Sequence, residues 1–290
     1  MKNISLDLTG KIDPVTVDLF SQINNVATEL KVDFFVVGAT ARDLILESGY
    51  GIAGGRATED VDLGVMVDGW DTYHKLKEML LSTGQFVMDN RMEHRLRYKG
   101  TLPLDVIPFG NIESPRGTIA WPSEQAIKMN VLGFQDVLKN AIRVLLRSDL
   151  TVLISSLPGM AVLKLIAWND RRNELPEKDV ADLALLLKNY AQAGNIDRLY
   201  EENLDLLEAE VHDYDRAGSR LLGRDMSCLM SKQTRAEVMA ILQNNSDPKK
   251  NDRLIIEVSR QLGMDKYEEA KSLLDCLKQG IEESLSKDNS

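Results

Sequence analysis

The sequence predicts an α/β (α+β) core built on a mixed sheet over residues 1–155, followed by a helical C-terminal domain over residues 156–290. Three observations carry this. Short apolar, β-branched runs alternate with helix-period segments as far as Ile154. The character changes near Ser155-Ser-Leu-Pro-Gly159. Beyond that point strand signals stop, proline and glycine thin out, and amphipathic segments follow one another to Leu285.

In order along the chain, Val15, Leu19, Ile23, Val26 and Leu30 recur at helical spacing and predict a helix over 12–30. Val32 to Val37 reads as a buried strand ending at Gly38, and Thr40 to Leu46 as a helix. Ser48 to Arg56 is a glycine-rich loop. Its Gly49-x-Gly51-x-x-Gly54 follows a helix instead of a strand, so the letters do not make a dinucleotide fingerprint. A loop there is placed to close over a substrate. Val61 to Val67 alternates as a strand, and Trp70 to Leu81 reads as a helix. His94 to Tyr98 and Leu102 to Ile107 read as paired strands. Pro108, Gly110, Pro115 and Gly117 mark a loop. Further strands are expected near Ala141–Leu146 and Thr151–Ile154, then helices over Met160–Trp168 and Val180–Tyr190.

Composition excludes several classes. Hydrophobic residues make up 43% and charged residues 28% of the 290, as in ordinary globular chains. No apolar run is long enough to span a bilayer, and the start lacks the build of a signal peptide, so no membrane partner and a cytoplasmic location are expected. Two cysteines, Cys228 and Cys276, rule out a disulfide framework, and three scattered histidines rule out a histidine metal cluster. The net charge of −10 argues against a general nucleic-acid binder without excluding a local basic groove.

The strongest chemical signal is Thr58-Glu-Asp-Val-Asp-Leu63. Asp60 and Asp62 are two apart on a predicted strand, so they point the same way with Cα atoms about 6–7 Å apart. Two carboxylates so placed can share a pair of divalent cations, which removes the repulsion two bare acids would feel. Asp105, in Leu102-Pro-Leu-Asp-Val-Ile107, is a lone acid in an apolar strand and would complete a three-acid site if the sheet set it beside the pair. Read without function, Asp60 opens a strand as a turn residue and Asp62 faces solvent. Before this pair, Val36-Val-Gly-Ala-Thr-Ala-Arg-Asp-Leu-Ile45 reads as strand, tight turn and helix. Gly38 lets the chain turn, Ala39 follows, and Thr40 can cap the helix or touch a phosphate. Arg42 can reach a triphosphate or pair with a carboxylate.

Together, Gly38-Ala39, Asp60-x-Asp62 and Asp105 resemble the pattern of the DNA polymerase β-type nucleotidyltransferase superfamily, and Val37 to Leu44 is similar to the turn of CCA-adding enzymes. Ala39 departs from the Gly or Ser usual there. Leu163-Lys-Leu-Ile-Ala-Trp-Asn-Asp-Arg171 and Lys178-Asp-Val-Ala-Asp-Leu183 resemble motifs of the AbiEii-like toxin nucleotidyltransferases, matching at Lys164, Ala167, Arg171, Asp179 and Asp182. The resemblance implies transfer of a nucleoside monophosphate from an NTP, assisted by two Mg²⁺ ions on Asp60, Asp62 and Asp105. It implies that Lys164 neutralises phosphate and that Gly38, Ala39, Thr40, Arg42, Arg171, Asp179 and Asp182 line the nucleotide site. It further implies an RNA acceptor such as tRNA, or a protein acceptor, and a toxin with a cognate antitoxin. The alternatives are a small-molecule nucleotidyltransferase and a catalytically silent NTP-binding module. Lys164 and Arg171, seven apart, share one helical face, and a solvated charged stripe is the bland reading of both. Trp70 and Trp168, at apolar helical positions, are expected in the core.

Overall fold

The computed structural model describes residues 5–54, 60–122, 124–174 and 176–287. The chain divides into two compact units, Met1–Ser156 and Leu157–Ser290.

The first unit is built on an eight-stranded mixed sheet. Its strands are β1 (Ser5–Asp7), β2 (Asp33–Val37), β3 (Val61–Val67), β4 (Phe86–Met88), β5 (Arg95–Tyr98), β6 (Leu102–Gly110), β9 (Ile142–Arg147) and β10 (Leu150–Ile154). The spatial order is β1-β9-β10-β2-β3-β6-β5-β4. A separate hairpin joins β7 (Thr118–Trp121) to β8 (Glu124–Asn130). The helices α1 (Pro14–Leu30) and α4 (Trp70–Ser82) pack on each other and on the central strands. The strand β3 shows why the sheet sits where it does. Val61, Leu63, Val65 and Val67 are buried, while Asp62 and Met66 alternate to the other face. The aromatic rings of Phe35 on β2, Phe109 on β6 and Phe134 on α5 (Phe134–Lys139) close the apolar end of that second face, with centroids 5.5–6.0 Å apart.

After β2 the chain turns at Gly38 into α2 (Gly38–Arg42), a π-helical turn (Asp43–Glu47) and α3 (Ser48–Tyr50). The expected helix over 40–46 is therefore present but widened midway. The expected loop at Pro108 and Gly110 is instead the end of β6. Proline is tolerated there because the N–H of Val106 is the last to reach β5, bonding to the His94 carbonyl, and the next such position has no strand facing it. Strands β1 and β4, of three residues each, and β7, of four, are too short to show a period in the sequence. Of the expected substrate-closing loop Ser48–Arg56, Ser48–Tyr50 is instead the short helix α3, and residues 55 and 56 lie outside the described residues.

The second unit is helical. Its elements are α6 (Leu157–Arg171), α7 (Pro176–Asn189), α8 (Ile196–Glu201), α9 (Leu204–Ala209), α10 (Tyr214–Leu229), α11 (Lys232–Asn245), α12 (Arg253–Leu262) and α13 (Tyr267–Lys287). The pair α10 and α13 forms its spine. A Cβ on Gly223 would meet the Leu277 carbonyl oxygen at 2.1 Å, and one on Gly280 the Arg220 carbonyl oxygen at 2.0 Å. Two glycines facing across the crossing thus let the backbones touch. Arg220 and Arg224 reach out of α10 to Glu283, Glu210 and Asp205. Trp168 is fully buried and its indole N–H donates to Glu257.

Candidate active site

Strand register sets Asp62 and Asp105 side by side. Antiparallel pairing sets Val37 opposite Asp62, parallel pairing sets Asp62 beside Asp105, and antiparallel pairing sets Asp105 opposite Arg95. Residues in one such row project from the same face of a sheet. Asp62, Asp105 and Arg95 therefore stand in line across three strands, with Asp60 two residues before Asp62. The sequence placed Asp62 and Asp105 on their strands, whereas Asp60 stands just before β3 and not on it; the row itself depends on pairings between distant segments.

The turn before α2 is shaped around Asp62. Gly38 has φ +70°, and a Cβ built on it would lie 2.0 Å from the Asp62 carboxylate. Glycine is thus required both by its backbone and by the side chain above it. Thr40 does not cap the helix: the N-cap is Val37, with no side-chain hydrogen bond. Its hydroxyl donates to the Asp60 carbonyl at 2.9 Å and ties α2 to the start of β3. Ala39 is buried, and its methyl leaves no hydroxyl at that position. Arg42 is 2% exposed and its guanidinium donates to Asp43 at 2.7 Å, so it takes the carboxylate-pairing option.

Sequence reasoning missed Arg95. Its Nε donates to Asp105 Oδ1 at 2.6 Å and its Nη2 to Asp105 Oδ2 at 2.7 Å, a two-pronged clamp. The same Nη2 reaches Asp60 Oδ2 at 3.3 Å. Hydrogen bonds to a charged group contribute about 1.5–3 kcal/mol each when water is largely excluded, and Asp105 is buried. The bonds to Asp105 raise the Arg95 pKa above its ordinary value. His94 Nε2 stands 3.9 Å from Asp105 Oδ2, its ring beside Trp121. Burial lowers the His94 pKa, against the opposing pull of the Asp105 charge.

The expected three-acid cluster is accordingly not gathered. Among the described residues no three His, Cys, Asp or Glu side chains are arranged to hold a metal ion. The Arg95 guanidinium meets both oxygens of Asp105 and one of Asp60. The donor set nevertheless suits a divalent cation. Asp60 and Asp62 lie two residues apart at the mouth of β3, Asp60 with its side chain 39% exposed, and Mg²⁺ takes one or two carboxylates together with substrate phosphates.

A cavity of about 290 Å³ adjoins Asp60 and Thr40. Its charged lining is Asp13, Asp43, Glu47 and Asp60 against Lys11. Tyr98 and Trp121 are both buried in the core, so neither is open to stack a base, and Trp70 packs against Tyr73 and Trp121.

The remaining expected site residues form a second group, on α6 and α7. Lys164 Nζ lies 3.3 Å from Asp179 Oδ1 and 2.5 Å from Asp182 Oδ2. Arg171 Nη2 donates to both oxygens of Asp179, at 3.0 and 2.8 Å. Asp179 and Asp182 are almost fully buried, whereas Arg171 is half exposed. Helical spacing puts Lys164 and Arg171 on one face of α6, as expected, and that face meets the acids of α7. Both cations are engaged by carboxylates of α7.

The model of the family described as nucleotidyl transferase AbiEii toxin, type IV TA system, matches residues 23–261. The chain belongs to this family. The AbiEii match takes in Asp60, Asp62 and Asp105 together with the α6–α7 group. Among solved structures, the chain is similar to the antibiotic-resistance factor ANT(2'')-Ia, at 14% identity over 69% of this chain and 99% of that one, with a TM-score of 0.37. It is similar to an antigenic nucleotidyltransferase-like protein from Paracoccidioides brasiliensis, at 19% identity over 67% and 91%, with a TM-score of 0.39. It is also similar to the Thermotoga maritima CCA-adding enzyme complexed with tRNA, at 14% identity over 98% and 85%, with a TM-score of 0.27. No curated protein matches the chain.

Proposed function

We propose that this AbiEii-family chain is a Mg²⁺-dependent enzyme that moves a nucleoside monophosphate from an NTP to a hydroxyl of RNA, such as a tRNA end, or of a protein. We further propose that it acts as the toxin of a pair with a cognate antitoxin. The observation that carries this reading is the row Asp62–Asp105 with Asp60 alongside, set over the Gly38 turn. The acceptor oxygen forms a bond to the α-phosphorus, the bond from that phosphorus to the bridging oxygen breaks, and pyrophosphate leaves with the electron pair.

Asp60 and Asp62, with Asp105, are the residues that would hold two divalent ions. Bound there, Mg²⁺ would neutralise triphosphate charge and ease loss of the acceptor proton to solvent. The chain's own part is positioning. Gly38 keeps the ground above Asp62 clear, and Thr40 fixes the Asp60 backbone relative to α2. Lys164, Arg171, Asp179 and Asp182 come to the reading by family resemblance, and their mutual ion pairs also serve the helical unit by themselves.

The test is incubation of the purified chain with each α-³²P-labelled NTP, Mg²⁺ and, in separate reactions, total tRNA and protein extract. Label on RNA or protein supports the reading; label that never leaves NTP in any reaction overturns it.

A second reading rests on the cavity. Four carboxylates against one lysine favour a small cationic acceptor over a polyanion. Label moving onto an amino-bearing small molecule, and not onto RNA, supports that reading.

A further inference from the structure

The helical unit carries an apolar face that its own packing does not cover. Ile196 and Tyr200 stand one turn apart on α8. The Tyr200 ring meets that of Tyr214, the first residue of α10, with centroids 6.3 Å apart, and their hydroxyls touch. Leu204 opens α9, and Val211 follows its end. All five side chains are exposed, whereas Leu199, Leu206 and Leu207 of the same helices are buried.

Val211 is the least expected of the five. It is 81% exposed, and its backbone lies at φ +54°, followed by His212 at +59°. The left-handed region is uncommon for any residue with a side chain and an outlier for a β-branched one. Neither backbone ease nor burial within the chain accounts for a valine there. A contact from outside does: backbone strain gathers at binding sites, and an apolar tip raised from the surface gains by being covered.

The surrounding charge selects the occupant. Residues 196–215 hold eight acids and one arginine. That arginine, Arg198, turns inward, its two Nη atoms donating to Asp225 at 2.8 and 2.9 Å. Asp197, Glu201 and Glu208 are exposed and form no ion pair among the described residues. Such a rim repels an RNA strand or an anionic lipid surface, and a second copy in a twofold contact would lay the same acids against each other. A helix with an apolar stripe flanked by lysine or arginine satisfies both the tyrosines and the acids.

We propose that this face, from α8 to the start of α10, is a docking surface for a basic amphipathic helix of a partner protein. Tyr200, Tyr214 and Val211 are its apolar anchors, and Asp197, Glu201 and Glu208 are the charges that orient the partner. Docking there does not depend on the transfer chemistry.

The test is fluorescence anisotropy of the full chain with a labelled helical leucine–lysine peptide, beside a peptide of the same composition in scrambled order. The wild type is expected to bind the helical peptide at least about tenfold more tightly than the scrambled one. Tyr200→Ser/Tyr214→Ser and Glu201→Lys/Glu208→Lys are each expected to weaken binding by about tenfold or more. In Val211→Gly the urea midpoint is expected to hold or rise, because glycine accepts the left-handed backbone, while binding weakens severalfold. Should the tyrosine variant unfold, Val211→Gly decides. A helical peptide that binds no better than its scramble, or that binds the folded variants as it binds the wild type, overturns the proposal. So does a wild-type dimer that Tyr200→Ser/Tyr214→Ser disperses in sedimentation, which assigns the face to a second copy. Displacement of the peptide by a single-stranded RNA oligonucleotide that itself binds the wild type but not Val211→Gly overturns it in favour of RNA.

Discussion

The carboxylate of Asp62 lies where a side chain on Gly38 would begin: a Cβ there would stand 2.0 Å from Asp62 Oδ2. Turn and acid are thus one structural unit, joined by β2–β3 pairing of Val37 with Asp62.

Gly38→Ala is expected to fail twice. The left-handed backbone at φ +70° costs about 1–3 kcal/mol for a residue with a side chain, and the methyl displaces Asp62. Urea unfolding reads the first effect. Label transfer by the folded fraction reads the second and is expected to fall more than stability alone explains.

The α6–α7 ion pairs make a contrast between two arginine and aspartate changes. Asp179 is 1% exposed and serves two cations, so Asp179→Ala leaves Lys164 short of a partner and is expected to cost about 3–5 kcal/mol. Arg171, with its side chain 53% exposed, is expected to cost at most about 1 kcal/mol as Arg171→Ala. Chemical denaturation of both variants checks the order; equal losses would mean that Asp179 is not the hub of the pair.

Acid should loosen the helical unit through Glu283. Burial alone would raise its pKa, but the hydrogen bonds from Arg220 and Arg224 win, and it titrates below the ordinary 4.5. A carboxyl depressed in the folded state binds fewer protons there than when unfolded. Its stabilisation is therefore complete above about pH 4.5 and is lost as pH falls below it. The urea midpoint is expected to drop from neutral pH to below pH 4, and Glu283→Gln to narrow that drop. A variant with the wild-type pH dependence would show that other acids carry it.

Much of this was legible in the residues. Alternation around Asp62 gives β3 residue for residue, because one face of that strand is entirely Val and Leu. Helical spacing puts Lys164 and Arg171 on one side of α6. What stayed hidden depends on pairing between segments far apart in sequence. That Asp105 stands beside Asp62 follows from a parallel register, and that Arg95 clamps Asp105 follows from a second register on the far side of β6. No local spacing encodes either. The buried acid in an apolar strand did signal a need for a partner, and an arginine on the neighbouring strand met it before any metal. Thr40 misled for a related reason: a hydroxyl near a helix start suggests a cap, but the nearby Asp60 carbonyl competes for it.

The most direct test compares NMP transfer by the wild type and by Asp62→Asn at matched protein, Mg²⁺ and acceptor, with circular dichroism to establish equal folding. Asn keeps the size of the side chain over Gly38 and removes its charge. The account predicts a loss of at least about a hundredfold in the folded variant. An Asp62→Asn protein that transfers label at the wild-type rate would contradict it.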